Sequence, residues 1–251
     1  NVKENLELSA AVKVVNPLNV TIHGGPSTPS YEHDCEMFFA EHPHVDIAVR
    51  GEGELTFADL LDKLDRHNAT DLELLSAVPG LSYRRSHGVY RTENRERIAD
   101  VDTIPSPYLK GLFDEFGSVR SSAIIETNRG CPYGCTFCDW GSATLSKVRR
   151  FDMERVFAEL EWSTSHHVEV LSIADANFGM LERDVAVSQK IADLKKAHGY
   201  PNTVGLNFAK NQVKYLRDII RIMAEAGILT EAKISLQSTD AATLEAIDRS
   251  N

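Results

Sequence analysis

The sequence is short of cysteine, of long apolar runs and of positive charge, and each shortage removes a class of protein. Four cysteines in 251 residues are too few for the disulfide framework of a small secreted scaffold. No apolar run approaches the ~20 residues that a membrane-spanning helix needs. The chain carries 37 acidic against 27 basic residues, a formal net charge of −10. That balance argues against broad nucleic-acid binding, which takes a basic stripe to displace counterions. The opening Asn1–Asn5 is polar and has no secretory-leader pattern, and with so few cysteines a reducing cytoplasm is the expected location. The chain starts without Met and stops at Ser250-Asn251 inside a helical pattern, so it reads as a piece of a longer protein. A hydrophobic content of 42 % supports a real core in one large domain or two small ones.

The cysteine that is present is concentrated. Gly130–Gly141 reads Gly-Cys-Pro-Tyr-Gly-Cys-Thr-Phe-Cys-Asp-Trp-Gly and holds Cys131, Cys135 and Cys138 in the spacing Cys-x3-Cys-x2-Cys. The fourth cysteine, Cys35, is isolated far upstream and is expected to be a small buried hydrophobe. Three thiolates this close in sequence converge only by wrapping something. A structural zinc wants a fourth ligand, and no His sits nearby at ligand spacing. A 4Fe–4S cluster fits better: three cysteines hold three irons, and the fourth iron is left for a non-protein ligand.

The rest of the chain alternates helix and strand, which predicts an α/β fold with parallel strands. Glu4–Val15 has a helical stripe ended by Pro17, and Val20–His23 is a strand that empties into Gly24-Gly25-Pro26-Ser27. Paired glycines there serve a close approach of backbone to a ligand or a tight turn. Cys35–Ala40 is a short helix, Val45–Val49 a buried strand ending in Arg50-Gly51-Glu52-Gly53-Glu54, and Thr56–Asp65 an amphipathic helix. Leu81–Arg84 and Val89–Thr92 form a hairpin around His87-Gly88. From Ser122 onward four strand–helix units follow, with strands at Ala123–Thr127, Val168–Ala174, Val204–Phe208 and Lys233–Gln237. Asp152, preceded by Phe151 and followed by Val156, is placed to cap the first helix with a hydrophobic staple. Ligands of such repeated units gather beyond the C-terminal ends of the strands. There the sequence offers the cysteine loop, Asp175 with Asn177, Asn207 with Lys210 and Asn211, and Gln237 with Ser238.

The cysteine spacing, with Phe137 just before the third cysteine, resembles the cluster motif of the radical S-adenosylmethionine (radical SAM) superfamily. The resemblance implies Cys131, Cys135 and Cys138 as metal ligands and S-adenosylmethionine (SAM) bound through its amino and carboxylate groups to the open iron. It implies an injected electron that cleaves SAM to methionine and a 5′-deoxyadenosyl radical, and an electron donor such as flavodoxin or ferredoxin. It assigns Phe137, Asp175, Asn177, Ser235, Gln237 and Ser238 to SAM, although the family's usual Gly-Gly-Glu is absent after the second strand. Trp140 is placed to cover the cluster or a corrin ring, or to fill the core. Lys147, Arg149 and Arg150 suit a carboxylate or a solvated basic patch.

Upstream, strand–Gly24-Gly25-Pro26 and strand–Arg50-Gly51-Glu52-Gly53-Glu54–helix resemble the C-terminal half of the Rossmann-like cobalamin-binding domain that precedes many radical SAM modules. That resemblance assigns Gly24, Gly25, Pro26, Ser27, Gly51, Glu52 and Gly53 to cobalamin. The first strands of that domain, with the Asp-x-His-x-x-Gly cobalt-ligand motif of some members, are not in the chain, and His23 is in no such motif. The expected domains are therefore 1–72, the C-terminal part of the cobalamin-binding domain; 73–118, a linker with the hairpin; and 119–251, part of the radical SAM (β/α) barrel. The function implied is a cobalamin-dependent methyltransferase acting on an unactivated carbon of a small molecule, with neither nucleic acid nor membrane as partner. A radical SAM cyclase or rearrangement enzyme, a tRNA methylthiotransferase-like enzyme and a non-catalytic zinc protein are the alternatives.

Overall fold

The structure, a computed structural model, describes residues 2–66, 72–116, 122–138, 148–209 and 213–249. It divides into two compact units, Asn1–Ile98 and Ala99–Asn251.

In the first unit, α1 (Val2–Val15), β1 (Ile22–His23), α2 (Glu32–Glu41), β2 (Ile47–Val49) and α3 (Gly53–Arg66) are followed by β3 (Leu81–Arg85) and β4 (Gly88–Arg91). The strands form one sheet in the order β1-β2-β3-β4. The parallel sheet expected from the alternating pattern holds for β1 and β2 only. β3 and β4 add to it antiparallel, with Ile47 opposite Tyr83 and Tyr83 opposite Tyr90. The hairpin of the expected linker thus completes the first unit's sheet. Leu81, Ser82 and Tyr83 are fully buried there, which a solvated connector does not allow.

Side chains alternate across a strand, and β2 uses both faces. Ile47 and Val49 pack with Leu60, Leu75, Leu81 and Tyr83, and Ala48 packs with Phe39 and Val45. A strand covered on both faces reads as an unbroken apolar run, as this one does. Arg50, at the exit of β2, is buried. Its Nη2 donates to the Leu81 carbonyl at 3.1 Å and the Thr92 carbonyl at 2.6 Å, and its Nη1 donates to Asn94 Oδ1.

The second unit holds β5 (Ser122–Ile125), β6 (Asn128–Arg129), β7 (Arg149–Arg150), α4 (Met153–Ser165), β8 (Val170–Phe178), α5 (Arg183–His198), β9 (Thr203–Phe208), α6 (Val213–Glu225), β10 (Leu229–Lys233) and α7 (Ala241–Ala246). Its main sheet runs β10-β9-β8-β5, and every pairing is parallel. All four strands therefore end on one side, as successive βα units require. The core gathers Ala123, Ile125, Leu171, Ile173, Val204, Leu206 and Phe208 from the strands with Val156, Leu160, Val187, Ile191, Ile219 and Met223 from the helices. Asp152 caps α4, accepting from Glu154 N at 2.7 Å, and Phe151 and Val156 are both in the core. α6 ends in paired bonds, Ile228 N to Met223 O and Gly227 N to Ala224 O, both 3.0 Å, a Schellman closure.

Two strands differ from the sequence expectation. β8 does not stop at Ala174 but runs to Phe178, so Asp175 and Asn177 lie within it rather than in the loop beyond. Its buried residues fall at every second position from Leu171 to Asn177, which continues the pleat through residues too polar to read as strand. The fourth strand is Leu229–Lys233, not Lys233–Gln237. It is the last strand of its sheet and mostly exposed, so it lacks the apolar run that marks the others.

Candidate active site

The site begins where β5 ends. Asp175 is fully buried, and four donors meet its carboxylate. Thr127 N and Asn128 N donate to Oδ1 at 2.7 and 3.2 Å. Asn128 Nδ2 donates to Oδ2 at 2.6 Å, and the Thr127 hydroxyl also donates to Oδ2. Burial pushes the Asp175 carboxyl up to about 7, with Asp184 adding a little, while the bonds from Thr127 and Asn128 pull it down. This carboxylate is thus spent on the two residues that lead into the cysteine loop.

Asn177, two residues along β8, is 1 % exposed. Its Nδ2 donates to Cys131 Sγ at 3.2 Å. Cys131 and Cys135 are buried and Cys138 is half-buried; none is in a disulfide. The loop turns through Cys138 N to Cys135 O, and Thr136 N donates to the Ile247 carbonyl, each at 3.1 Å. Burial, then the Cys131 sulfur, pushes the Tyr133 phenol up, and Arg249 opposes them. Arg249 also donates to the Ser235 carbonyl, and the bond from Thr136 to Ile247 ties the C-terminal segment to the loop. Among the described residues, no three His, Cys, Asp or Glu side chains are gathered tightly enough to hold a single metal ion.

Three acceptors near these strand ends are buried without a hydrogen-bond partner among the described residues: Asn128 Oδ1, Asn177 Oδ1 and Asp184 Oδ1. A buried acceptor left unpaired costs about 1–3 kcal/mol, so such groups mark places where a donor is wanted. The other Asp184 oxygen accepts from Gly179 N at 2.8 Å and Leu181 N at 3.0 Å and shapes the turn after β8. Asn128 and Asp184 were not singled out by the sequence. The only signal for Asn128 is its place between a strand and the first cysteine.

Ser235, Gln237 and Ser238 lie past β10. Gln237 is exposed with φ +67°, and Ser238 Oγ accepts from Asp240 N at 3.0 Å at the start of α7. Phe137 is 52 % exposed. Arg149 and Arg150 pair as β7 with Asn128 and Arg129. Trp140, Lys147, Lys210 and Asn211 lie outside the described residues.

In the first unit, Gly25 and Gly51 have φ of +88° and +71°, and a Cβ on either would meet nothing within 4 Å. A Cβ added at Gly24 or Gly53 would lie 3.6 Å from the Val49 side chain. Thr28 N closes a turn on Gly25 O over Pro26 and Ser27 at 3.0 Å. Glu52 Oε2 accepts from Ile98 N at 2.9 Å. The two positive-φ turns follow β1 and β2, which are parallel neighbours, so they emerge at the same end of the sheet.

No protein-family model matches the chain. Over its whole length it is 42 % identical to 2-(S-pantetheinyl)-carbapenam-3-carboxylate methyltransferase of Streptantibioticus cattleyicolor. It is 40 % identical, again over its whole length, to the cobalamin-dependent radical SAM methyltransferase TokK of Streptomyces tokunonensis. The chain spans 37 % of the length of each. The structure of the apo cobalamin-dependent S-adenosylmethionine radical enzyme OxsB matches all of this chain with a TM-score of 0.64 at 22 % identity, over 35 % of that chain. The radical S-adenosylmethionine methyltransferase TsrM from Kitasatospora setae matches 93 % of this chain with a TM-score of 0.55 at 16 % identity, over 52 % of its own. The α/β fold is thus that of part of such enzymes, and over its whole length the chain is similar to part of cobalamin-dependent radical SAM methyltransferases.

Proposed function

We propose that the protein carrying this chain is a cobalamin-dependent radical SAM methyltransferase that methylates an unactivated carbon of a small molecule. The observation that carries the reading is the cysteine loop: three unpaired thiols, with an amide N–H on the first and two unpaired buried acceptors, Asn128 Oδ1 and Asn177 Oδ1, on the elements around it. When bound, the 4Fe–4S cluster supplies the electron that cleaves SAM, and cobalamin carries the methyl group.

On this reading Cys131, Cys135 and Cys138 hold the cluster. Asn177 Oδ1 and Asn128 Oδ1 would accept from the amino group of SAM. Asp175, whose oxygens are already engaged, holds Thr127 and Asn128 in place for them. Ser235, Gln237, Ser238 and Phe137 complete the SAM contacts. Residues 1–72 are the C-terminal part of a Rossmann-like cobalamin-binding domain and 119–251 part of a (β/α) barrel. Gly24–Ser27 and Gly51–Gly53 meet cobalamin with backbone at two turns that leave room for a ligand. The 42 % relative is named for a carbapenam carboxylate, which supports a small carboxylate-bearing substrate. A low-potential donor such as flavodoxin or ferredoxin supplies the electron.

The test uses the whole protein, reconstituted anaerobically with iron, sulfide and cobalamin. It should take up both cofactors and, with SAM and a reductant, form 5′-deoxyadenosine and a product heavier by one methyl group. A protein that takes up the cluster but no cobalamin sinks the subclass. Turnover without methyl addition points instead to a cyclase or rearrangement enzyme. A further expectation concerns Gly51. Alanine there costs about 1–2 kcal/mol of backbone strain but clashes with no protein atom. Cobalamin affinity should therefore fall more than stability does, as judged by a binding titration set beside thermal melting.

A further inference from the structure

Asn177 has a property that ligand binding alone does not require: one arm of its amide is spent on sulfur. Nδ2 lies 3.2 Å from Cys131 Sγ, and Oδ1 is buried and has no partner among the described residues. A thiolate has no hydrogen to give, so once Cys131 is a ligand only the N–H arm can face it. Hydrogen bonds to the sulfurs of an iron–sulfur centre are among the factors that set its potential. Reduction adds negative charge, part of it on those sulfurs, and a donor to the charged form favours that form.

We infer that Asn177 tunes the reduction potential of the centre held by Cys131, raising it through the Nδ2–H···Sγ bond, and that its Oδ1 links this bond to SAM. The inference rests on the cluster assignment proposed above. N and O belong to one rigid amide, so the sulfur contact fixes where the free oxygen points. An N–H donated to Oδ1 polarises the amide and strengthens the N–H···S bond. SAM should therefore make the centre easier to reduce in the wild type, and less so without Asn177.

The test is a redox titration of the whole reconstituted protein, followed by electron paramagnetic resonance, with and without SAM. In Asn177→Leu, similar in shape but without a donor, the one-electron equilibrium should shift about tenfold against reduction, roughly 59 mV. Asn177→Asp should shift it further, and both should lose most of the effect of SAM. A wild-type potential in Asn177→Leu with its full iron and sulfide overturns the inference. The wild type supplies a second readout that no folding defect can blur. With asparagine labelled with ¹⁵N, pulsed resonance of the reduced centre should show a ¹⁵N coupling and an exchangeable deuteron. A full cluster without that coupling overturns the inference and leaves the proposed function intact. A wild type that takes up no iron and sulfide overturns both.

Discussion

Alanine at any one of Cys131, Cys135 or Cys138 is expected to leave the protein folded but without a stable iron–sulfur centre. Ligand number decides this. Three thiols on one loop are the smallest protein set that holds a site-open cubane, and two leave a second iron exposed. Loss of even an outer-shell partner of a metal site costs 10–100-fold in affinity or activity, so loss of a direct ligand should lower 5′-deoxyadenosine formation by at least about 100-fold. The fold should survive. Cys131 and Cys135 are small and each retains some exposure, 8 % and 7 %, so truncation removes little buried surface. Cys35→Ala is the matched control. Its sulfur is bonded within the first unit, donating to the Pro29 carbonyl at 3.1 Å and accepting from Arg91 Nη1 at 3.0 Å, and the variant should keep full iron. Iron and sulfide per chain, brown absorption and far-ultraviolet circular dichroism check all four variants. A Cys135→Ala protein with wild-type iron would sink the assignment.

Asp175→Ala should cost the second unit much of its stability. It strands two backbone N–H groups and the side chains of Thr127 and Asn128 in a site without water access. At about 1–3 kcal/mol for each unsatisfied buried group, and with partial relaxation, the expected loss is about 3–5 kcal/mol, readable as a shift in denaturant midpoint. Asp175→Asn keeps the shape and should cost less. The same residue gives a pH signature. Its carboxyl is raised from 3.8 to about 7 on folding, so the folded state binds the extra proton between those values. Stability from this group is therefore greatest at low pH, declines as pH rises from 3.8 to about 7, and is level above that. The neutral carboxyl can be accommodated because the Thr127 hydroxyl is able to accept its proton. Denaturant unfolding at several pH values should show a steeper downward slope in the wild type than in Asp175→Asn, where Asp184, also raised by burial, still contributes. Equal slopes in the two proteins would mean that the carboxyl titrates normally.

The place of the cysteine loop after a strand is legible in the chain order, and so are Asp152 at the start of α4 and Gly227 at the end of α6, where local backbone bonding decides. Asp175 and Asn177 lie within β8, not in the loop that the sequence suggests. Asp-Ala-Asn reads as the end of an apolar run, and only the donors of Thr127 and Asn128, 47–48 residues earlier, allow such a strand to stay buried. Those partners are tertiary and leave no local mark. Asn128 itself went unnoticed for the same reason. At the fourth strand the error ran the other way: Ile234 and Leu236 alternate like strand residues yet are 49 % and 52 % exposed, whereas the true strand, Leu-Thr-Glu-Ala-Lys, shows no such alternation. The hairpin β3–β4 was legible as a hairpin, but its attachment to β2 depends on Arg50 and on the burial of Tyr83, which sequence order does not reveal.

The turn at Gly51–Gly53 is clamped on either side. Arg50 grips the backbone at Leu81 and Thr92, and Glu52 holds the amide of Ile98, the last residue of its unit. The shape of the turn is thus fixed together with the closing residue of the first unit.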